Sequence, residues 1–304
     1  MEAISLETVN LSKKFGKATA LDGVNLKVKQ GEVFGYIGPN GSGKTTTIRI
    51  LLGILKATEG TATVFGKDAW RDAVEIHRRV AYVPGDVNLW PNLTGGEVVD
   101  LFASFRGKLD IKRREKLLER FELDPSKKCR TYSKGNRQKV ALVAEFASEA
   151  DLYILDEPTS GLDPLMEQVF QECIQEQKNK GKGIFLSSHI LSEVERLCDR
   201  VGIVREGKLV ETGTLSELRH LTRITMNVET ESPIEGLDGM KGIHGVRRHQ
   251  GGITFQADSE EIGGVVAHIS KFNVIKLESM PPTLEDLFMR HYDKKTHIAK
   301  ELGV

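Results

Sequence analysis

The chain has 304 residues, with 43 basic and 43 acidic side chains and a formal net charge of zero, which argues against a protein that coats nucleic acid or anionic lipid. Hydrophobic residues make up 39%, an ordinary share for a water-exposed globule, and no apolar run reaches the roughly 18 residues needed to span a bilayer. The opening "MEAISLETVN" lacks the basic start and apolar core of a secretory leader, and the widely spaced Cys129, Cys173 and Cys198 fit neither a metal site nor a disulfide framework, so reduced thiols are expected.

"GEVFGYIGPNG" (31–41) reads as a short apolar strand running into a glycine-rich turn. "KTTTIRILLGIL" follows as a helix with Ile48, Leu51, Leu52 and Leu55 on one face. Residues 97–122 carry a helical pattern, and the "KRREK" run at 112–116 is expected to be a solvated face. "YSKGNRQK" (132–139) precedes Val140, Val143, Ala144 and Ala147, which recur with the spacing of one helix face. Ser133 to Asn136 therefore lie at a helix start, where free N–H groups and the positive dipole end attract an anion.

"DLYILDE" (151–157) has the look of a buried parallel strand ending in two carboxylates. A helix over 164–179, a strand "GIFLSSH" (183–189) and a helix from Ser192 with Glu195 as its capping-box partner come next. "VGIVREGKLVETG" reads as a hairpin turning at Glu206-Gly207. Strands and helices alternating in this way predict an α/β domain around a mainly parallel sheet, placed over 1–220. Beyond it, "TRITMNVE", "HGVRRH", "GITFQAD" and "FNVIKLES" are short alternating strands, separated by a helix at 259–270 and closed by "TLEDLFMRHY". These predict a small C-terminal α+β domain over 221–304.

"GPNGSGKT" (38–45) satisfies the phosphate-loop pattern in full and sits between a strand and a helix. Its glycines let backbone N–H groups close around phosphates, Lys44 reaches the β- and γ-phosphates, and the Thr45 hydroxyl suits Mg²⁺. A nucleoside triphosphate is therefore expected to bind. Asp156 is placed to hold Mg²⁺, and Glu157 beside it is the candidate general base for an attacking water. His189 ends the next strand, where its imidazole either touches the γ-phosphate or is structural.

Together these residues resemble the ATP-binding subunits of ABC transporters. "GPNGSGKTT" is similar to that family's Walker A motif, and "YSKGNRQK" to its signature motif. "LYILDEPTSGLDP" combines Walker B, the following glutamate and the D-loop (Ser160 to Asp163), and "SSH" ends in the switch histidine. The resemblance implies an ABC-type P-loop fold with an antiparallel β subdomain and a helical subdomain over about 86–148. It also implies Mg²⁺-dependent ATP hydrolysis with Glu157 and His189 as catalytic residues. ATP would be held by Phe15 stacked on adenine and by Gly38, Pro39, Asn40, Gly41, Ser42, Gly43, Lys44, Thr45 and Thr46. Thr45 and Asp156 would serve the metal. Ser133, Gly135, Asn136 and Asp163 would reach the nucleotide of a second copy, because two such domains pack head to tail around ATP.

Three positions depart from the family. Gly85 stands where a glutamine is usual, Lys134 replaces a signature glycine, and Asn136 replaces the glutamine after it. Either the neighbouring Asp86 or water substitutes for the missing side chain at Gly85, or Asp86 turns outward. Leu89 and Trp90 either meet a membrane partner or form local core. The arrangement with one nucleotide domain and a short C-terminal domain resembles bacterial exporters whose permease is a separate ABC-2 type chain. The resemblance implies peripheral attachment at the cytoplasmic membrane face. A soluble ABC ATPase acting on ribosomes or DNA is the competing reading, without support from the single nucleotide domain or the neutral charge.

Overall fold

The computed structural model describes residues 3–106, 110–220, 223–249 and 252–280. The chain divides into two compact units, Met1–Thr212 and Gly213–Val304. The first runs β1 (Ile4–Phe15), β2 (Ala18–Lys29), β3 (Val33–Ile37), α1 (Lys44–Leu51), β4 (Glu59–Val64), β5 (Lys67–Asp68), α2 (Ala73–His77) and β6 (Val80–Val83). It continues with α3 (Gly95–Arg106), α4 (Ile111–Arg120), α5 (Lys134–Ala147), β7 (Leu152–Asp156), α6 (Pro164–Asn179), β8 (Gly183–Ser188), α7 (Leu191–Leu197), β9 (Arg200–Arg205) and β10 (Lys208–Thr214).

Two sheets result. One is antiparallel in the order β2-β1-β4-β5, and the other has the order β10-β9-β3-β8-β7-β6, with β9, β3, β8, β7 and β6 parallel. Every residue of β3, β7 and β8 is buried, as expected for strands covered on both faces. Helix α1 lies in the core shared by both sheets: Ile48 and Leu51 join Leu6, Val24 and Val28 from one side and Phe34, Tyr36 and Phe185 from the other. Each such side chain contributes about 1.5–3 kcal/mol on burial, so the loop that feeds α1 is anchored at its far end by the main core. The parallel register then aligns the chemistry. Ile37 pairs with Ser188 and Asp156 with Ser187, so the loops after β3, β7 and β8 emerge at one edge of the sheet.

The charged stretch at 97–122 forms two helices, α3 and α4, and Asp110 caps the second by accepting from Arg113 N at 3.1 Å. Helix α5 packs on α3 and α4, burying Val140, Val143, Ala144 and Ala147. Glu206 and Gly207 both have left-handed φ, 49° and 77°, at the turn between β9 and β10. One expectation is corrected. Helix α7 starts at Leu191 after Ile190, which provides no side-chain cap, so Ser192 lies inside the helix and does not open a capping box with Glu195. The Ser188 hydroxyl, one turn earlier, already accepts from Ile190 N at 2.9 Å and fixes the entry.

The second unit contains α8 (Leu215–His220), β11 (Ile224–Thr230), β12 (Ile243–His249), β13 (Gly252–Ala257), α9 (Ile262–Ile269) and β14 (Val274–Met280). Its sheet is antiparallel in the order β12-β13-β11-β14. Alternating residues Met226, Val228, Ile253 and Phe255 meet Val265 and Ile269 of α9 in a small core. The helix expected over 259–270 is α9 flanked by single 3-10 turns at Ser259–Glu261 and Ser270–Phe272. "TLEDLFMRHY" lies outside the described residues.

Candidate nucleotide site

The loop after β3 holds its shape through glycine. Gly43 precedes α1 with φ 109°, and a Cβ there would stand 2.6 Å from Leu21 Cδ2 and 2.8 Å from the Ala20 carbonyl, so only glycine fits. No side chain caps α1, which leaves its first N–H groups and dipole directed at the loop 38–43. Lys44 is buried, and its Nζ donates to the Gly38 carbonyl at 2.6 Å and the Pro39 carbonyl at 3.3 Å. Ser42 Oγ is buried with no hydrogen-bond partner among the described residues. Asn40, Gly41 and Thr45 are exposed at the loop rim, with Thr46 half-buried behind them.

Asp156 and Glu157 meet this loop. Thr45 Oγ1 donates to Asp156 Oδ2 at 3.0 Å, and Ser187 Oγ donates to the other carboxylate oxygen, Oδ1. Glu157 has left-handed φ, 47°, and its N–H is held by the Ser187 carbonyl at 2.9 Å. Its carboxylate lies 3.6 Å from Lys44 Nζ through Oε1 and 3.0 Å from His189 Nδ1 through Oε2. Lys44, Thr45, Asp156, Glu157 and His189 are thus gathered from three strand ends. Ser187 is a site residue the sequence reading missed; inside a buried apolar strand its hydroxyl is the one signal that could have found it.

Gly85 lies against this cluster. A Cβ there would be 3.2 Å from the Asp156 carbonyl oxygen and 3.7 Å from Asp156 Cγ. Asp86 is exposed and accepts from Asn88 Nδ2 at 3.3 Å. Phe15 is 50% exposed at the end of β1, so it is not core, and Lys13 Nζ stands 5.1 Å from its ring centre. Its strand partner is Ala18, two residues from the Ala20 carbonyl that abuts Gly43, which puts the hairpin beside the phosphate loop.

The start of α5 is built separately. Ser133 is the N-cap, and its Oγ accepts from Asn136 N at 3.2 Å. Gly135 packs so tightly on the 158–161 loop that a Cβ would stand 2.4 Å from the Gly161 carbonyl. Lys134 Nζ donates to Ser160 Oγ at 2.8 Å, and buried Gln138 donates to the Pro158 carbonyl at 2.9 Å. Asp163 caps α6, accepting from Leu165 N and Met166 N at 3.1 Å each. The hydrogen bonds of Ser133, Lys134 and Asn136 stay within this region, and none among the described residues reaches the phosphate loop.

An apolar groove of about 410 Å³ opens beside Tyr82, lined by Leu52, Ile54, Val74, Phe102 and Phe105 with His77 and Glu145 among its polar members. Ile54, Val74 and Phe105 are 55%, 78% and 67% exposed. Trp90 is half-exposed and its ring lies tilted against Phe102 at 6.2 Å between centres, and Phe102 in turn meets Phe105 edge-on, so Trp90 extends this apolar patch. Burial pushes the Tyr82 hydroxyl up to about 12, with the Asp156 carboxylate adding to the rise.

The family model described as ABC transporter matches residues 21–160, and the one described as ATP-binding protein DrrA1-3-like, C-terminal domain, matches residues 213–292. The chain is 31% identical over 288 residues to the uncharacterized ABC transporter ATP-binding protein YhaQ of Bacillus subtilis, covering 92% of this chain and 96% of that one. It is 32% identical over 294 residues to the bacitracin transport ATP-binding protein BcrA of Bacillus licheniformis, covering 94% and 96%. Among solved structures it is similar to an ATP-binding subunit of an ABC transporter, with a TM-score of 0.67, 37% identity and coverage of 71% and 92%. It is also similar to the cassette MJ0796 in a dimeric post-hydrolysis state bound to ADP and Pi, with a TM-score of 0.64, 26% identity and coverage of 69% and 98%. With relatives aligned along almost its whole length, the chain belongs to the ATP-binding proteins of ABC transporters.

Proposed function

We propose that this ATPase is the motor subunit of a bacterial exporter, driving a separate permease of the ABC-2 type from the cytoplasmic membrane face. The observation that carries the reading is the division of the chemistry. Lys44, Thr45, Asp156, Glu157 and His189 share one cluster, while the anion-binding start of α5 makes no bond to it. Two copies facing head to tail would bring Ser133, Gly135 and Asn136 of one against the triphosphate held by the other. Each sandwiched phosphate then meets two helix N-termini and Lys44. ATP joins the halves, and hydrolysis weakens the contact. The dimeric relative with ADP and Pi supports this arrangement.

Thr45 and Asp156 would hold Mg²⁺. Their oxygens are 3.0 Å apart, and neighbouring ligands of an octahedral ion with bonds of 2.0–2.1 Å are separated by about 2.9 Å. When bound, the ion offsets phosphate charge. Ser187 fixes the remaining Asp156 oxygen. In hydrolysis Glu157 takes a proton from the attacking water as its oxygen bonds to the γ-phosphorus, and the β–γ bridging oxygen leaves with ADP. His189 orients Glu157. Phe15 offers its ring face to the adenine.

The permease is assigned to the apolar groove. Exposed Ile54, Val74 and Phe105 form a concave patch suited to an amphipathic helix from a membrane partner, with Trp90 at its margin. The BcrA relative, a bacitracin transport protein over nearly its full length, supports transport as the coupled work. Co-expression with a permease encoded beside this chain tests the reading. Membrane retention of the chain and ATP-dependent transport in vesicles are expected. A chain that hydrolyses ATP yet stays soluble beside such a permease would overturn it.

A further inference from the structure

We infer that Glu193 is the positioning residue that fixes the His189 imidazole against Glu157. His189 directly follows the last residue of β8 with its side chain 52% exposed, so its aim depends on the backbone of residues 188–190. That backbone is tied down from below. Ser188 Oγ accepts from Ile190 N at 2.9 Å and donates to Glu193 Oε2 at 2.8 Å. Ser188 is 2% exposed and Glu193 3%.

Glu193 Oε1 is buried without a hydrogen-bond partner among the described residues. Through Oε2, Glu193 is linked to Ser188, the residue before His189. Burial pushes this carboxyl above the usual carboxylate range, against the lowering effect of the Ser188 hydrogen bond. A buried carboxyl is costly, and an apolar side chain would pack the first turn of α7 more cheaply. Its presence makes physical sense if the β8–α7 turn has to hold one geometry. A small misplacement of a catalytic group costs far more in rate than in stability.

The inference rests on His189 acting with Glu157, and the test separates the two. The full chain is labelled with 13C at its histidine rings, and the His189 signal is the one lost in His189→Ala. Glu193→Ala is expected to lower kcat for ATP on the order of tenfold, to leave KM within about twofold, and to shift or broaden the His189 signal selectively. Glu193→Gln keeps an acceptor for Ser188 and recovers most of both losses. Ser188→Ala cuts the same link while leaving the carboxyl in place, and it reproduces the His189 shift. Should Glu193→Ala fail to fold, Ser188→Ala decides. Normal kcat and an unmoved His189 signal in Ser188→Ala or Glu193→Ala overturn the inference, as does a uniform shift of all histidine signals. Normal turnover in His189→Ala would instead remove the role given to His189 itself.

Discussion

Glu157 Oε2 and His189 Nδ1 stand 3.0 Å apart at the ends of two neighbouring parallel strands, and Lys44 Nζ approaches the other carboxylate oxygen at 3.6 Å. The carboxylate is only partly exposed, and these two neighbours hold it in the position that the proposed base role requires. Glu157→Gln keeps the shape but accepts no proton. Steady-state hydrolysis is expected to fall by about 10²–10⁴-fold, while nucleotide binding persists. The variant accumulates an ATP-bound dimer, visible by gel filtration with light scattering. Near-normal phosphate release would remove Glu157 from the base role.

The separation of the α5 start from the phosphate loop leads to a mixing experiment. Ser133→Arg places a large side chain at the N-cap, away from the hydrogen bonds of its own phosphate loop. Its monomer should bind ATP normally yet fail to dimerise or hydrolyse. Lys44→Ala removes the cation buried in the loop. In a mixed dimer one composite site carries both lesions and the other none. With random pairing of equal amounts, roughly a quarter of wild-type activity returns. Verified mixed dimers that remain inactive would count against completion of the site by a second copy.

Much of this was legible in the sequence because the chemistry is contiguous. The phosphate loop, the Asp156-Glu157 strand end and the α5 start each occupy one short run, and β3, β7 and β8 are buried throughout and apolar but for Asp156, Ser187 and Ser188 at their ends. What escaped depends on contacts between distant runs. Ser187 shows its role only when β8 pairs with β7 and brings its hydroxyl to Asp156. The start of α7 was misplaced because Ser192 and Glu195 have capping-box spacing, whereas the turn is secured by Ser188 and Glu193. Ile54, Val74, Tyr82 and Phe105 come from separate segments, so no local pattern announces their groove.

Glu193 also has a pH signature. Burial raises its folded carboxyl above the ordinary value of 4.5. The folded chain thus holds this proton more tightly than the unfolded one. The resulting stability is fully present below the unfolded value and is lost as pH rises through the folded one. Glu193→Gln lacks this titration. The stability of wild type relative to Glu193→Gln should therefore fall with rising pH across that window and level off above it. Thermal melting of both chains over a pH series checks the sign, and a difference that grows with pH would contradict it.

Phe105 and Val74 are 67% and 78% exposed on the groove. Phe105→Asp should change stability by no more than about 0.5 kcal/mol, the usual range for a surface substitution. Basal ATPase activity of the isolated subunit should stay near wild type. Binding to the permease should weaken at least about tenfold, because a carboxylate on an apolar contact has to lose its water. Pull-down from detergent-solubilised membranes measures it. Unchanged capture together with normal transport would move the docking surface elsewhere.

The last prediction concerns the missing glutamine. Gly85 is close enough to the Asp156 carboxylate for a side chain there to reach the proposed Mg²⁺ position. Asp86, the carboxylate next to it in sequence, is instead exposed and engaged with Asn88. No hydrogen bond or ion pair joins it to Thr45, Asp156 or Glu157 among the described residues. Asp86→Ala should therefore leave the Mg²⁺ concentration for half-maximal hydrolysis within about twofold of wild type, whereas losing a true carboxylate ligand from so short a set would raise it far more. Gly85→Gln tests the same gap from the other side. Its Cβ meets the Asp156 carbonyl oxygen at 3.2 Å, a tight contact that asks for a small shift, and its amide oxygen then becomes available beside Asp156. That variant should need less Mg²⁺. In the full complex Asp86→Ala is expected to lower transport per ATP, because Asp86 faces solvent in the segment between Gly85 and Trp90, the same segment that borders the groove through Phe102. A large rise in the Mg²⁺ requirement of the isolated Asp86→Ala subunit would place the carboxylate at the metal after all.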